Sequence, residues 1–164
     1  MSGNQPNTPE AAHGRTEFHF TLDLPYESAF PLFGAWEEQK WFPGWRPRFV
    51  YPIPPADRQG AVFLVDHGPS DSSIWTMTRF DPATGQVQYI YLLNRAVVTR
   101  IDIAVARNGN QNTAVTVVYE RTAVDPAAND QVRSLANHDA RADDEWKALI
   151  DSYTARLKSG PTRP

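Results

Sequence analysis

The chain has 164 residues, 41% of them apolar, and a formal net charge of −3. That length fits one domain, and the apolar share supports a real core and excludes a disordered chain. Mixed charge with no basic stripe argues against a nucleic-acid partner. The absence of Cys excludes disulfides, thiolate metal sites and a Cys nucleophile.

Residues 1–15 are polar, include Pro6, Pro9 and Gly14, and read as a flexible N-terminal tail. They carry no apolar h-region, so no secretory signal is expected. No apolar stretch is long enough to span a bilayer, and the expected location is cytoplasmic. From Thr16 to Leu24 the chain alternates. Phe18, Phe20, Leu22 and Leu24 share one side, with Glu17, His19, Thr21 and Asp23 on the other. Period two predicts a half-buried strand, stopped by Pro25.

Tyr26 to Gln39 reads as one or two short helices, interrupted between Pro31 and Gly34. Trp36, Trp41 and Trp45 cluster behind it. Glu37 and Glu38 are neighbours that point apart on a helix, so a shared acid–base site is not expected. Ion pairing with Lys40 or Arg46 is the plainer account.

Six strands are predicted next, over 48–54, 61–66, 73–80, 86–93, 96–106 and 113–124. Turn-forming runs separate most of them: Pro54-Pro55-Ala56-Asp57, Gly68-Pro69-Ser70-Asp71, Asp81-Pro82-Ala83-Thr84-Gly85 and Asn108-Gly109-Asn110. Short turns imply antiparallel neighbours. Asp125-Pro126 then opens one long amphipathic helix, closed by Gly160-Pro161, with residues 159–164 as a C-terminal tail. Its apolar face reads Val132, Leu135, Ala142, Trp146, Leu149, Ile150, Tyr153 and Leu157.

Polar residues on apolar faces are the candidates for function. Stepping 100° per residue puts Asp139 between Trp146 and Leu157 on the apolar face of the last helix. A carboxylate there is paired, protonated or lining a wet cavity, unless the sheet leaves that part of the helix uncovered. His138 falls nearer the edge and is expected at the surface or rim. If Trp75 and Met77 face inward, so does Arg79; if Val117 and Tyr119 face inward, so does Arg121. Either Arg could reach a cavity carboxylate or an anionic head group, although the usual exposure of Arg favours the sheet rim for both. Tyr89, Tyr91 and Tyr119 could offer hydroxyls to a ligand. The tryptophan cluster is either a wall over a cavity mouth or a plug joining helices to sheet, and core packing is the commoner use of such rings. Four His with no two-His, one-carboxylate spacing leave no mononuclear iron site. Without a Walker, G-x-G-x-x-G, G-x-S-x-G or H-E-x-x-H motif, no cofactor is expected.

The order strand, helix pair, six strands, long C-terminal helix resembles the START-like (SRPBCC) superfamily, within it the polyketide cyclase/dehydrase and lipid-transport group. The residues that carry the resemblance are Trp41-Phe42-Pro43-Gly44-Trp45-Arg46-Pro47, Gly60-Ala61-Val62-Phe63, Trp75 with Phe80-Asp81-Pro82, Val117-Val118-Tyr119-Glu120-Arg121-Thr122-Ala123, and Trp146. It covers residues 16–158 as a single domain. The resemblance implies an α+β helix-grip fold: a curved seven-stranded antiparallel sheet wrapped on a long C-terminal helix, with two short helices after the first strand. It also implies a deep cavity between sheet and helix whose ligands are apolar or aromatic.

The first functional expectation is binding or transport of a small hydrophobic or aromatic molecule. Trp41, Trp45, Phe63, Trp75, Met77 and Trp146 would supply burial, and Tyr89, Tyr91, Tyr119, Arg121 and Asp139 orientation. The second is a cofactor-independent cyclase or dehydratase using Asp139 or a cavity Tyr as acid or base. The third is a co-chaperone-like interaction module docking through the tryptophan patch. A monomer or a homodimer is compatible with all three.

Overall fold

The computed structural model describes residues 9–69 and 71–160. Seven strands form one antiparallel sheet in the order β1-β7-β6-β5-β4-β3-β2. They are β1 (His13–Leu22), β2 (Arg48–Tyr51), β3 (Val62–Asp66), β4 (Ser72–Asp81), β5 (Gln86–Leu93), β6 (Val97–Asn108) and β7 (Asn112–Ala123). Between β1 and β2 lie α1 (Tyr26–Ala29), a 3₁₀ turn (Phe30–Phe33) and α2 (Ala35–Glu38). The chain ends in α3 (Asn129–Asp139) and α4 (Ala142–Ser159).

The hairpins follow from the turn chemistry. Consecutive strands β2 to β7 pair with their neighbours, and β1 closes onto β7 with Phe18 opposite Val117 and Phe20 opposite Val115. Every strand sends alternate residues to one buried face: Phe18, Phe20 and Leu22 from β1, Val115 and Val117 from β7, Val87 and Tyr89 from β5. The helices cover that face, with α4 packing on β1 and α3 on β1 and β7. Trp146 of α4 meets Phe18 and Trp41 edge-on, at centroid distances of 5.7 and 5.6 Å. Such aromatic pairs add about 0.5–1.5 kcal/mol beyond the area they bury.

Four expectations change. First, β1 begins at His13, inside the stretch read as a tail, and the chain before it is tied down. Ala12 N–H donates to Asn129 Oδ1 (2.6 Å), and Asn129 Nδ2 donates to the Glu10 carbonyl (3.0 Å). Residues 1–8 and 161–164 lie outside the described residues, and α4 runs to Ser159. Second, the last helix is two helices. Ala140 and Arg141 break it without Gly or Pro, the turn being held by Arg141 N–H donating to the His138 carbonyl (3.1 Å). Third, Leu157 is exposed, since the last turns of α4 run past the sheet. Fourth, the alternation from buried Trp75 and Met77 does not carry Arg79 inward; Arg79 is exposed, as the usual habit of Arg favoured. A β-bulge at Thr78 puts Met77 opposite Tyr89 and Arg79 opposite Gln88, which reverses the alternation. Phe80 turns inward instead and packs on Phe30, 5.0 Å between ring centroids.

Candidate functional site

A pocket of about 410 Å³ lies between the inner face of the sheet and the break between α3 and α4. Its walls come from the segment 38–45, from β3, β4, β5, β6 and β7, and from both C-terminal helices.

One wall is a buried ion pair. Alternation along β7 carries Val115, Val117 and Arg121 inward, and Arg121 is 4% exposed. The last residue of α3, Asp139, is 2% exposed and faces it. Arg121 Nε and Nη2 donate to the two oxygens of Asp139, each at 2.7 Å. Its Nη1 donates to the Tyr91 hydroxyl (2.5 Å) and to Thr99 Oγ1 (2.9 Å). The guanidinium also lies over the Tyr119 ring, 4.7 Å from its centroid. The expected rim position for Arg121 is therefore overturned. A bidentate partner and two further acceptors offset the desolvation that normally keeps Arg outside.

A second wall is aromatic. Trp75 stacks on Tyr91 at 3.9 Å, and Trp45 sits edge-on to Trp75 at 5.3 Å. Their polar atoms are satisfied away from the hollow. Trp75 Nε1 donates to Ser73 Oγ (2.7 Å), and Trp45 Nε1 donates to the Ala35 carbonyl (2.8 Å). Tyr89 donates to the Phe33 carbonyl (2.7 Å). Burial pushes the Tyr89 and Tyr119 hydroxyls well above their ordinary pKa, so both stay protonated.

The third wall holds Glu38. Adjacent helical positions point apart, as expected: Glu37 faces outward and pairs with Lys40 at 2.5 Å, whereas Glu38 faces the pocket. Among the described residues Glu38 makes neither an ion pair nor a side-chain hydrogen bond, so the expected pairing applies to Glu37 alone. Burial, and secondarily the nearby Asp57 carboxylate, push the Glu38 carboxyl up to about 8. Asp57 is itself fixed by α2. It accepts from the backbone N–H of Trp36 (2.7 Å) and Glu37 (3.2 Å), as an N-terminal cap does. Gly34 makes this possible, since a β-carbon there would lie 2.1 Å from Asp57 Oδ2.

No fully buried side-chain polar atom among the described residues lacks a partner. The Glu38 carboxyl and the Tyr119 hydroxyl make no hydrogen bond yet line the pocket, so both open onto it.

Eight of the eleven sequence candidates line the pocket: Trp45, Trp75, Tyr89, Tyr91, Tyr119, Arg121, Asp139 and Trp146. Trp41, Phe63 and Met77 do not; they are buried in the core beside it, with Trp41 Nε1 donating to the Leu32 carbonyl (2.7 Å). His138 is exposed at the rim, as expected, with Glu145 nearby. Glu38 was not among the candidates. Adjacent helical positions 100° apart say that Glu37 and Glu38 face different ways, but not which of them meets the pocket.

No protein-family model matches the chain. No curated protein matches it by sequence. Solved structures do. The chain has the helix-grip fold. Norcoclaurine synthase from Thalictrum flavum, solved in complex with dopamine and hydroxybenzaldehyde, superposes with a TM-score of 0.65 at 11% identity, covering 99% of this chain and 97% of that one. An uncharacterised protein from Rhizobium leguminosarum gives 0.64 at 11% identity, covering 87% and 97%. Ara h 8.0201 gives 0.60 at 12% identity, covering 88% and 100%. At these identities the helix-grip architecture is what is shared, and the chemistry has to be argued from the pocket. Among the described residues, no helix is long and apolar enough to cross a membrane, and no cluster of three metal-ligating side chains occurs.

Proposed function

We propose that the protein binds a small hydrophobic or aromatic molecule in the pocket between the sheet and α3–α4. The observation that carries this reading is the ring-lined hollow of about 410 Å³, within the size range of small-molecule sites. Stacked Trp75 and Tyr91 offer a flat apolar face. Glu38 and Tyr119 offer polar contacts that the protein itself does not use. The same fold in norcoclaurine synthase holds dopamine and hydroxybenzaldehyde, which supports a ligand-holding use of the architecture.

An acid–base role for Asp139 has less support, because each of its oxygens already accepts from Arg121. The tryptophan patch gives little support to an interaction module, because Trp41 is buried and Trp45 lines the pocket, leaving Trp36 exposed.

The test is a fluorescence titration with N-phenyl-1-naphthylamine, a neutral aromatic probe. Saturable one-to-one uptake is expected, with transfer from Trp45 and Trp75, and Ala142→Trp, which fills the hollow, should abolish it while the protein stays folded by circular dichroism. Uptake unchanged in Ala142→Trp would place the probe elsewhere and defeat the reading.

A further inference from the structure

The charges that line the pocket are unbalanced. Four carboxyl groups face it (Glu38, Asp66, Asp139 and Glu145) against one guanidinium, Arg121, with His67 and His138 at the mouth. Arg121 is committed to Asp139 through two hydrogen bonds. What remains toward a ligand is acidic, and its innermost member is Glu38. That carboxyl has no partner among the described residues, and it shares the hollow with the Trp45, Trp75 and Tyr91 rings. Among the described residues that line the pocket, an anion would meet no Lys, and no Arg but the one held by Asp139. An ammonium would meet a carboxylate and several ring faces, the two features that stabilise a desolvated cation.

Resting on the reading that this pocket binds a small molecule, we propose that its ligand is an aromatic or apolar amine, held as the ammonium with Glu38 as counter-ion. The free pocket then holds Glu38 protonated at neutral pH, its carboxyl being pushed up to about 8. An arriving ammonium stabilises the carboxylate, and one proton passes from Glu38 to the buffer. Tyr89, Tyr119 and Arg121, which face Glu38, keep their charge across this range. Both tyrosines stay protonated and Arg121 is locked on Asp139, while burial raises the carboxyl of Asp57, on the loop after β2, from its ordinary value. Glu145 and the histidines sit at the mouth rather than against it. Amine affinity therefore rises with pH, about tenfold per unit while Glu38 is mostly protonated, and levels off above its titration near 8.

The experiment is displacement of N-phenyl-1-naphthylamine by 2-phenylethylamine and by its neutral isostere 2-phenylethanol, from about pH 6 to about pH 8.5, in wild type and Glu38→Gln. The expected result is an amine preference of at least about tenfold at the upper pH that shrinks as pH falls, and its loss in Glu38→Gln with probe uptake intact. Equal displacement by both compounds, or a preference that survives Glu38→Gln, overturns the proposal while leaving the pocket reading standing. A ligand that only accepts a hydrogen bond from the protonated carboxyl would give this second pattern. The wild-type pH dependence tests the proposal without any variant, and isothermal titration in buffers of different ionisation enthalpy should show one proton released. If the probe and both compounds all fail to bind, the pocket reading itself falls, and the amine proposal with it.

Discussion

Two carboxyl groups face the same pocket under opposite conditions. Asp139, at the end of α3, is enclosed and fully engaged by Arg121, which is held in turn by Tyr91 and Thr99. Glu38, at the end of α2, is close to a second carboxylate, Asp57, and to no cation. The contrast separates structure from function within one hollow. A buried charge with its partner in place holds elements together, while a half-buried carboxyl without one is pushed toward its neutral form and stays available.

The sharpest way to break this contrast is to remove the partner on the engaged side. Asp139→Ala leaves the Arg121 guanidinium buried and unpaired, and should cost about 3–5 kcal/mol in urea unfolding. Replacing both partners, as Arg121→Met with Asp139→Leu, should recover most of that loss, because a packed apolar pair is often as stable as the ion pair it replaces. A smaller effect is expected from Gly34→Ala. The added methyl must displace Asp57 and uncap α2, at a cost of about 1–3 kcal/mol.

Glu38→Gln should match wild-type stability at low pH, where the carboxyl is neutral folded and unfolded, and should be the more stable protein at pH 7, where the unfolded wild-type chain gains by ionising. What it should remove is a slope. With the folded-state value near 8 and an ordinary value of 4.5, the native state binds the extra proton between them. The stabilising contribution is complete below the lower value and is lost as pH rises through the upper one. Wild-type stability should therefore decline from about pH 5 to pH 8 in chemical unfolding, and the Glu38→Gln curve should be flatter. The smallest effect is expected away from the pocket. Lys147 and Asp151 pair at 2.6 Å on the exposed side of α4, and Asp151→Asn should cost under about 0.5 kcal/mol.

The fold was legible because its signals are local. Period-two runs, Asn108-Gly109 and Pro-rich turns, and the aromatic face of α4 each act within a few residues. The errors were local too. The bulge at Thr78 and the break at Ala140-Arg141 have no Gly or Pro to announce them, because β4–β5 pairing and the packing of α3 and α4 decide them. The site divided along the same line. Alternation placed Tyr119 and Arg121 on the inner face, and helical phase placed Asp139 on the apolar side, yet their pairing joins residues 18 apart through tertiary structure. Composition argues that Arg stays wet; only the partner reverses that. Glu38 was the hardest to see, because its environment depends on Asp57, brought beside it by the loop between β2 and β3, and on a hollow that no short-range pattern encodes.

The measurement that tests the central claim most directly is a carboxyl-carbon NMR titration of protein labelled at glutamate, repeated in Glu38→Gln. One glutamate resonance should titrate near 8, vanish in the variant and shift when 2-phenylethylamine is added. If every glutamate titrates in the ordinary range around 4 to 5, Glu38 is not the protonated, available group of the pocket, and the contrast between its two walls is wrong.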